Sequence, residues 1–509
     1  MGLDRGQESY LEWKFGERVA FDKVERKLYG HDIGALPRLV KPLVGSTVHD
    51  AVVQPVDETE LVELVRWARR QGVPLIPRGK ASSGYGGVVP AKGGVVVDFL
   101  RMSSVISVDA DSQEVRVQPG MTCEKLDRAL KEYGLTLRLY PSSYPSSTVG
   151  GWLAQGGAGF GSYQYGYFSD NVVSAMVVQP DAVLRELSGD GLELVSEAEG
   201  ITGFITEVTL KVQQLEDLEV AGFSCIRAGD LQKFISAVLE SDLPVWSIMF
   251  INPNMAEMRN KAPVPEHGEG AHKVTLPDAY IAVVTYRARD TESVRVPLSE
   301  LAAAAGAETL DDHLVMHEWD NSFKIMLVKR LGPSLVPAEV VVPVENLGAA
   351  MDEIESKVHH PVLKEGIVVR SGAGGAPEAV LLGFIPGDER KLGYNLMFAL
   401  SLTVMRIARK HGGRMYGTGL YFASLADEII GGRKADRLKS FKSSMDPGDI
   451  MNPGKVTDAG LLSKLLKLAS LAEPLARPFG NLVASRVTER PGPARRGIPG
   501  DVAWYAYAC

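Results

Sequence analysis

The sequence predicts an α+β protein with two domains. Helical and strand-like patterns alternate through residues 52–212, where two glycine-rich tracts, 78–87 and 141–172, interrupt them. A second region, 216–410, alternates strands with helices, as a helix layer on one sheet does. With 45% hydrophobic and 23% charged residues, the 509-residue chain has the composition of a folded globular protein. We therefore expect an α+β first domain and an α/β second domain with an antiparallel sheet.

Charge and cysteine content exclude several classes of protein. The formal net charge is −8, whereas a nucleic-acid-binding surface has to be basic to contact phosphates. The cysteines, Cys123, Cys225 and Cys509, are too few for a disulfide framework or a four-cysteine metal site. The charged N-terminus has no secretory apolar run, and no apolar stretch is long enough to span a membrane. These features predict a cytoplasmic protein without a transmembrane segment.

The first elements follow a polar, partly helical lead-in over residues 1–44. Apolar residues at helical spacing predict a helix over 57–71. Asp57 is its expected N-cap, Glu60 completes a capping-box pattern, and Gly72 ends the helix. Farther along, the patterns predict strands at 74–76, 95–99, 115–118, 172–179 and 206–212, and a helix at 122–133 with Leu126, Leu130 and Tyr133 on one face.

The second region has its own series of elements. The expected strands are 221–227, 280–286, 340–343 and 379–385, and the expected helices are 230–240, 347–358 and 394–410. Residues 411–456 end in a segment rich in proline, glycine and asparagine, and 457–509 form a basic tail. The pattern from Leu461 to Leu471 predicts an amphipathic helix in that tail, followed by a linker.

The first glycine-rich tract runs from Arg78 to Gly87, directly after a predicted strand. Small residues allow backbone N–H groups to turn inward and bind an anion, and Ser82 and Ser83 add hydroxyl donors. The tract lacks the Lys-Ser/Thr ending of a Walker loop and the following helix of a Rossmann fingerprint. Taken alone, it fits a pyrophosphate-binding loop or an ordinary surface loop equally well.

The second tract, Pro141–Val172, is too rich in glycine for regular structure. Its presence favours a binding loop over an ordinary surface loop. Two long glycine tracts in one module require close approach of backbone to a large ligand. The tracts belong to a set of motifs in a fixed order, which are Pro77–Gly87, Ser147–Gly159, Tyr165–Val172, Ala198–Lys211 and Asp446–Lys455. Together they resemble the vanillyl-alcohol oxidase and p-cresol methylhydroxylase (PCMH) superfamily, and within it the FAD-linked glycolate, D-lactate and 2-hydroxyglutarate dehydrogenases.

The resemblance implies a two-subdomain PCMH-type FAD-binding domain over 45–215, a substrate or cap domain over 216–410, and a return to the first domain over 411–456. It also implies which residues contact FAD. The pyrophosphate would lie against Arg78, Gly79, Lys80, Ala81, Ser82 and Ser83, with Gly87 and Val88 behind. The ribityl chain and the ring edge would lie along Ser142, Ser143, Thr148, Gly150 and Gly151. Gly159, Gly203 and Ile205 would close over the ribose and adenine, and Asn452 and Lys455 would return to the flavin ring, although Lys455 also fits a solvated surface charge.

Covalent attachment of the flavin would need a His, Cys or Tyr nucleophile beside its ring. The pyrophosphate loop contains neither His nor Cys, and Cys123 fits a small buried residue better than a reactive thiol. We therefore expect FAD to be bound non-covalently.

The chain departs from the metal-using members of that dehydrogenase branch. Their H-x-G-D-G-N-x-H segment is replaced by Leu381–Asp388, and their G-E-H-G-x-G segment by Gly413–Tyr421. In those members the histidines and the glutamate hold a metal that polarises the substrate. We therefore expect no catalytic metal. His313 and His317 lie four residues apart and offer a base or a metal patch, but ordinary helix-surface positions explain them better.

Oxidation of an alcohol by a flavin requires an acceptor for the hydroxyl proton, and a carboxylate substrate requires a cationic partner. The candidates nearest to the altered segments are Arg370, Arg414, Tyr416 and Tyr421. The leading hypothesis is an FAD-dependent dehydrogenase or oxidase that acts on a small alcohol, such as the 2-hydroxy acids lactate and glycolate, and passes electrons to a non-nicotinamide acceptor.

Two alternatives stay open. The first is a flavoenzyme of the same fold with an unrelated substrate, because fold does not determine function. The second is a flavin electron-relay subunit of a larger iron–sulfur complex. The basic, aromatic-rich tail ends in Cys509, which is a candidate first ligand of an iron–sulfur module, although a plain cysteine fits equally well.

Overall fold

Three sheets organise the part of the chain that the computed structural model describes, namely residues 2–34, 48–262, 274–324, 328, 334–372, 375–388, 394–458 and 460–487. The first half contains strands β1 (Val19–Ala20), β2 (Ala51–Val53), β3 (Leu75–Arg78), β4 (Val95–Asp98), β5 (Val105–Asp109), β6 (Glu114–Val117), β7 (Leu135–Leu137), β8 (Val172–Val178), β9 (Leu184–Ser188) and β10 (Phe204–Gln214). Its helices are α1 (Arg5–Phe15), α2 (Lys23–Tyr29), α3 (Glu58–Gln71), α4 (Cys123–Lys131), α5 (Val149–Gln155) and α6 (Ser162–Tyr165).

The second half has longer strands and more helix. Its strands are β11 (Leu218–Cys225), β12 (Val245–Ile251), β13 (Tyr280–Arg287), β14 (Glu308–Thr309), β15 (Ser334–Pro337), β16 (Val340–Pro343), β17 (Leu363–Val369), β18 (Glu378–Gly387) and β19 (Arg414–Met415). Its helices are α7 (Ala228–Glu240), α8 (Pro253–Lys261), α9 (Thr291–Ala305), α10 (Asp312–Asp320), α11 (Leu347–Lys357), α12 (Tyr394–Lys410), α13 (Gly432–Met445) and α14 (Leu461–Val487). This mixture of helices and sheets confirms the α+β class.

The first domain combines a small mixed sheet with a larger antiparallel one. In the small sheet, ordered β1-β2-β4-β3, strand β4 is parallel to both of its neighbours. The larger sheet has the order β5-β6-β10-β8-β9, with β7 also beside β10. Near the end of the chain, Met451 bridges to Leu75, so the C-terminal return lies along the edge of β3.

The second domain is built on one antiparallel sheet, which we call the cap sheet. Its order is β14-β11-β13-β12-β17-β18-β16-β19, with β15 also paired to β18. Helices α7, α9, α11 and α12 pack on one face. On the other face, Trp246 packs with Phe160, and Leu382 packs with Ala158. Because Ala158 and Phe160 belong to the second glycine tract, the cap sheet covers that tract.

Helix α3 confirms the helix that the sequence predicts over 57–71. Asp57 is the N-cap, with its Oδ1 accepting the Glu60 N–H at 2.9 Å, and Gly72 ends the helix in the left-handed conformation. The capping-box prediction is wrong, because the Glu60 carboxylate does not return to the N-cap. It instead receives hydrogen bonds from Arg18 and from the Val56 N–H, and so fastens the lead-in to the first domain.

Replacing Asp57 by alanine should lower the free energy of unfolding by about 1 kcal/mol, because the Glu60 N–H loses its acceptor. Asp57→Asn keeps a side-chain acceptor at the same place and should leave the stability nearly unchanged. Urea denaturation followed by circular dichroism measures both variants. An equal loss in the two variants would assign the effect to the charge rather than to the cap.

Two expectations about local structure are wrong. Tyr133 does not share the buried face of Leu126 and Leu130, since α4 ends at Lys131 and the Tyr133 side chain is 55% exposed. The second glycine tract does contain helices, α5 and α6. Thr148 caps α5, and glycine at position 150 allows the helix to approach Pro119, because a Cβ there would lie 2.4 Å from the Pro119 Cβ.

The tail helix is longer than the sequence predicts. Helix α14 continues to Val487, past Pro474 and Pro478, and packs along α12. The buried Glu473 carboxylate accepts hydrogen bonds from Thr403 at 2.6 Å and from Arg406 at 3.0 Å, which fixes the two helices together. None of the helices within the described ranges has the length and apolar character to cross a membrane.

Candidate functional site

The two glycine tracts meet at Gly79 and Thr148. A Cβ at position 79 would lie 2.3 Å from Thr148 Oγ1, so the approach requires glycine. Gly79 to Ser83 are half-buried, and the hydroxyl oxygen of Ser83 is buried without a hydrogen-bond partner among the described residues. A buried hydroxyl without a partner needs an acceptor or a donor from elsewhere. This loop therefore fits the pyrophosphate of FAD.

The side chain of Arg78 points toward the lead-in. Its guanidinium donates to the carbonyl oxygens of Tyr29 at 3.0 Å and His31 at 2.9 Å, and stacks over the Tyr29 ring. Arg78 can thus contribute its backbone to the loop, whereas its side chain holds residues 29–34 against the loop.

Asp32 of the lead-in, which the sequence analysis missed, packs against the loop formed by the first tract. Its carboxylate accepts the N–H of Gly86 at 2.6 Å and that of Gly34 at 2.9 Å, and the Ile33 N–H donates to Ser83 O at 3.3 Å. Burial raises the pKa of Asp32 to about 6, against these hydrogen bonds. The Gly86 amide is therefore used within the protein and does not face a ligand.

The C-terminal return brings Asn452 and Lys455 to the back of the same loop. The Asn452 amide donates to Gly87 O at 3.0 Å and to Glu199 O at 2.5 Å, and Lys455 Nζ donates to Val89 O at 2.6 Å. Lys455 is fully buried, so it is not a solvated surface charge. Burial lowers the pKa of Lys455 to about 8 and raises that of Glu199 to about 7, while their mutual attraction opposes both shifts.

Other glycines of the expected FAD set are explained by packing within the protein. A Cβ at Gly159 would lie 2.2 Å from Tyr140 O, and one at Gly203 would lie 2.6 Å from Val178 O. Ile205 pairs with Val177 in the sheet formed by β8 and β10. Contacts of Gly159, Gly203 and Ile205 with FAD stay predictions, as do those of Lys80, Ala81, Ser82, Val88, Ser142, Ser143 and Gly151.

Three of the four catalytic candidates lie at the junction of the two domains. The phenol oxygen of Tyr416 accepts the Ala158 N–H at 2.9 Å, and Tyr421 packs against Gly86. Arg414 is paired with Glu378 at 2.7 Å and donates to Tyr167 at 3.2 Å, which itself donates to Glu378 at 2.7 Å. Arg414 therefore joins the cap sheet to the second tract.

Arg370, the fourth candidate, lies at the surface between Tyr163 of the second tract and α7 of the cap. It is exposed, its guanidinium stacks 5.7 Å from the Tyr163 ring centroid, and it donates to Leu239 O at 3.4 Å. The guanidinium groups of Arg370 and Arg414 thus both have protein partners. Neither guanidinium group is therefore free to bind a substrate carboxylate through two parallel hydrogen bonds.

The junction also contains Glu339, a residue without any local sequence signal. Glu339 lies between β15 and β16, is 8% exposed, and receives a hydrogen bond from the Tyr85 hydroxyl of the first glycine tract. Burial raises the pKa of Glu339 to about 7, Tyr85 opposes this shift, and the Asp32 charge adds to it. A buried carboxyl group with such a pKa can exchange a proton near neutral pH.

The register of the cap sheet places Glu339 in a row of side chains that faces the second glycine tract. Val340 pairs with Leu381, and the Ala338 N–H donates to Gly383 O, so Glu339 stands opposite Leu382. Leu382 in turn pairs with Glu365. Leu382 packs against Ala158, and therefore this row faces the first domain. Glu365 lies on the far side of Leu382 from Glu339, where Arg259 holds it at 3.1 Å, and the row continues from Glu365 to Ile251.

The remaining candidates lie elsewhere. His313 and His317 are on α10, with His317 Nδ1 3.5 Å from Glu318 Oε1. No group of metal-ligating side chains is present within the described ranges. Cys123 and Cys225 are buried free thiols, and burial raises the pKa of each to about 12. Cys509 and the predicted linker lie outside the described residues.

Comparisons with known proteins agree with this architecture. Residues 49–188 match the FAD binding domain, and residues 216–456 match the C-terminal domain of FAD linked oxidases. The chain is 23% identical over 476 residues to a mitochondrial D-lactate dehydrogenase (cytochrome) of Arabidopsis thaliana, covering 88% of this chain and 79% of that protein. It is also 23% identical over 434 residues to glycolate oxidase subunit GlcD of Bacillus subtilis, covering 80% and 88%.

A solved structure extends the comparison to the whole fold. Substrate-bound p-cresol methylhydroxylase superposes with a TM-score of 0.71 at 13% identity, covering 90% of this chain and 98% of that one. At this identity the likeness concerns the fold, a PCMH-type FAD-binding domain with its cap. The two domain matches identify the cofactor as FAD.

Proposed function

We propose that this chain, which belongs to the FAD-linked oxidoreductases of the PCMH type, oxidises the CH–OH group of a small alcohol with non-covalently bound FAD. One observation carries the proposal. The two glycine tracts meet at Gly79 and Thr148, and Tyr85 of the first tract and Ala158 of the second contact Glu339 and Leu382 on one face of the cap sheet. A cofactor held by the tracts would thus share one enclosed space with a substrate under the cap.

The chain's own residues would hold the cofactor and orient it. The amides of Gly79 to Ser83 and the Ser83 hydroxyl would bind the pyrophosphate, and Asn452 and Lys455 support the loop from behind. When bound, FAD supplies the oxidant that accepts a hydride from the substrate carbon. The buried thiols of Cys123 and Cys225 are poor nucleophiles, which supports non-covalent binding.

We place 2-hydroxy acids first among the substrates because relatives bear the names D-lactate dehydrogenase and glycolate oxidase. We propose that Tyr416 and Tyr421, which lie against Ala158 and Gly86 at the junction, contact such a substrate or the flavin. A specific observation favours a second candidate, a neutral alcohol. Arg414 is already bound to Glu378, and the segment that replaces the metal motif offers the apolar side chains of Leu382 and Phe384 to the covered face.

The electron acceptor is proposed to be a protein or quinone rather than a nicotinamide. The sequence has no Rossmann fingerprint for a dinucleotide cosubstrate. An iron–sulfur module or another acceptor protein would meet this need, and the relay subunit remains the alternative without substrate chemistry of its own.

The test is a visible spectrum of the purified protein followed by anaerobic titration with 2-hydroxy acids and with neutral alcohols of matched size. We expect flavin absorption that acid precipitation releases into the supernatant and that one of the two substrate series bleaches. Bleaching by the neutral series alone would replace the hydroxy-acid assignment by the second candidate. If only a reduced partner protein bleaches the bound flavin, the chain is the electron-relay subunit. If the protein cannot be loaded with FAD, the proposal is overturned.

A further inference from the structure

We propose that Glu339 is the group that accepts the substrate hydroxyl proton, and that Tyr85 is a positioning residue that holds its carboxylate toward the cofactor side of the junction. The proposal rests on the alcohol oxidation proposed above and names the base for it. In the step, the substrate O–H proton would move to the Glu339 carboxylate, and bound FAD would accept the C–H hydride. The C–OH group thereby becomes C=O, and both electrons leave with the hydride.

The position of Glu339 is the first argument. The side chain that binds it, Tyr85, belongs to the loop expected to bind the FAD pyrophosphate, and the Tyr416 N–H donates to Glu339 O at 3.3 Å. Tyr416 in turn accepts the Ala158 N–H of the second glycine tract. Glu339 therefore touches both the first tract and a residue bound to the second, so it lies between the cap and the two tracts that we propose hold FAD.

The second argument is that the other carboxylates at the junction are already committed. Glu378 is bound by Arg414 and Tyr167, and Asp32 accepts two backbone amides. Glu199 lies beside Lys455 behind the first tract, and a Cβ on Gly87 would lie 2.2 Å from its Oε2. Glu339, in contrast, is held by a neutral phenol, so its charge is not neutralised by a cation among the described residues.

The surroundings of Glu339 suit a base that works near neutral pH. The titratable groups that face it are Tyr85, Asp32 and Tyr416. Burial and the charge of Asp32 raise the pKa of Glu339 to about 7, and the Tyr85 hydrogen bond opposes that shift. A general base is most effective when its pKa lies close to the working pH.

Glu365 provides a matched control in the same row of the cap sheet. It is fully buried, burial raises its pKa to about 7 as well, and it stands about 10 Å from Glu339, two strand spacings away. Glu365 is bound by Arg259 instead of Tyr85 and lies on the far side of Leu382. Burial and pKa are thus matched, while the position relative to the glycine tracts differs.

The experiment is rapid anaerobic reduction of the FAD-loaded protein by the substrate that bleaches it, measured from pH 5.5 to 9. In the wild type the reduction rate should rise with pH through about 7, because the base has to be ionised. Glu339→Gln should bind FAD with an unchanged spectrum, reduce it about 100- to 10,000-fold more slowly and lose the pH dependence. Glu365→Gln should keep the wild-type pH profile. Tyr85→Phe should move the midpoint to higher pH, since the phenol no longer stabilises the carboxylate.

The outcomes separate this proposal from the function on which it rests. A Glu339→Gln protein that is reduced at the wild-type rate, or a profile that Glu365→Gln changes as much, would overturn the assignment of the base and leave the alcohol oxidation intact. If Glu339→Gln fails to fold, Glu339→Asp provides the same test. Flavin reduction in that variant should be slower, and the midpoint of its pH dependence should be shifted. A wild type that binds FAD but is reduced by no alcohol would overturn the proposed function and the base together.

An infrared titration adds a readout without substrate. The wild type should show a protonated-carboxyl band that disappears as the pH rises through about 7, and the difference spectrum against Glu339→Gln should contain that band. A difference spectrum without it would overturn the assignment of the proton to Glu339.

Discussion

Arg259→Met should lower the free energy of unfolding by about 3–5 kcal/mol, the cost of leaving buried charges without their partner. Arg259 contacts Glu318 and, at 3.1 Å, Glu365, and these carboxylates are 2% and 0% exposed. Methionine keeps the apolar stem of the side chain and removes only the charge. The glutamates would then be buried in the cap without the guanidinium that pairs with both of them. Urea denaturation monitored by circular dichroism and by flavin fluorescence measures the loss.

The pH dependence of that loss distinguishes charge burial from packing. Burial already raises the pKa of Glu365 to about 7, and loss of Arg259 should raise it further. A carboxyl group with a raised pKa in the folded protein takes up protons on folding, so its contribution to stability is present at low pH and is lost as the pH rises through the folded pKa. Arg259→Met should therefore be less destabilising at pH 5.5 than at pH 8.

A matched control lies in the same domain. Arg295 pairs with Asp312 on the surface, where the side chains are 41% and 62% exposed. Arg295→Met should cost less than about 1 kcal/mol, with little pH dependence, because water screens the pair. A loss for Arg259→Met as small as this, or one that is equal at both pH values, would contradict the role assigned to the buried cluster.

Elements with a strong local pattern could be predicted from the sequence, whereas two strands that are buried on both faces were missed. Helix α3 has an apolar stripe, a cap and a terminating glycine, and it lies where the pattern places it. Strands β12 and β17 are buried along their whole length, so they lack the alternation by which a half-buried strand is recognised. The sequence analysis missed these two central strands of the cap sheet but found β13 and β18, although both are buried over most of their length.

The site shows the same limit at the level of single side chains. The glycine tracts predict a backbone that closely approaches a ligand or another part of the chain. The structure shows such an approach between Gly79 and Thr148. Glu339 stands among 63 acidic residues and acquires its character from Tyr85, which is 254 positions away in the chain. Arg414 lies in the sequence segment that replaces the metal motif, which made it a candidate for binding a substrate carboxylate. In the folded protein it instead forms an ion pair with Glu378, which is distant in sequence. Side-chain pairs that form across the domain junction cannot be recognised from the local spacing of residues in the sequence.

Gly157→Ala should strongly weaken FAD binding, by at least about tenfold in Kd, an effect of 1.4 kcal/mol or more. Gly157 has a φ of 120°, which an L-residue rarely adopts, and a Cβ there would lie 2.0 Å from the Tyr416 hydroxyl oxygen. The backbone strain alone costs about 1–3 kcal/mol. Relief of the clash would displace Tyr416, which accepts the Ala158 N–H and thereby fixes the second tract. Fluorescence titration of the apoprotein with FAD measures the change.

Two further variants separate the clash from the backbone strain. Gly432→Ala is the control for the substitution itself, since Gly432 has a φ of −57° and nothing within 4 Å of its Cβ, and it should bind FAD normally. Adding Tyr416→Phe to Gly157→Ala removes the oxygen that the new Cβ meets, so part of the affinity should return while the strain of the positive φ persists. Normal FAD binding by Gly157→Ala would contradict the close approach of Tyr416 to the second tract. If the double variant recovers no FAD affinity, the loss is due to the backbone strain at position 157 alone. The junction of the second tract and the cap would then depend on glycine at 157 rather than on Tyr416.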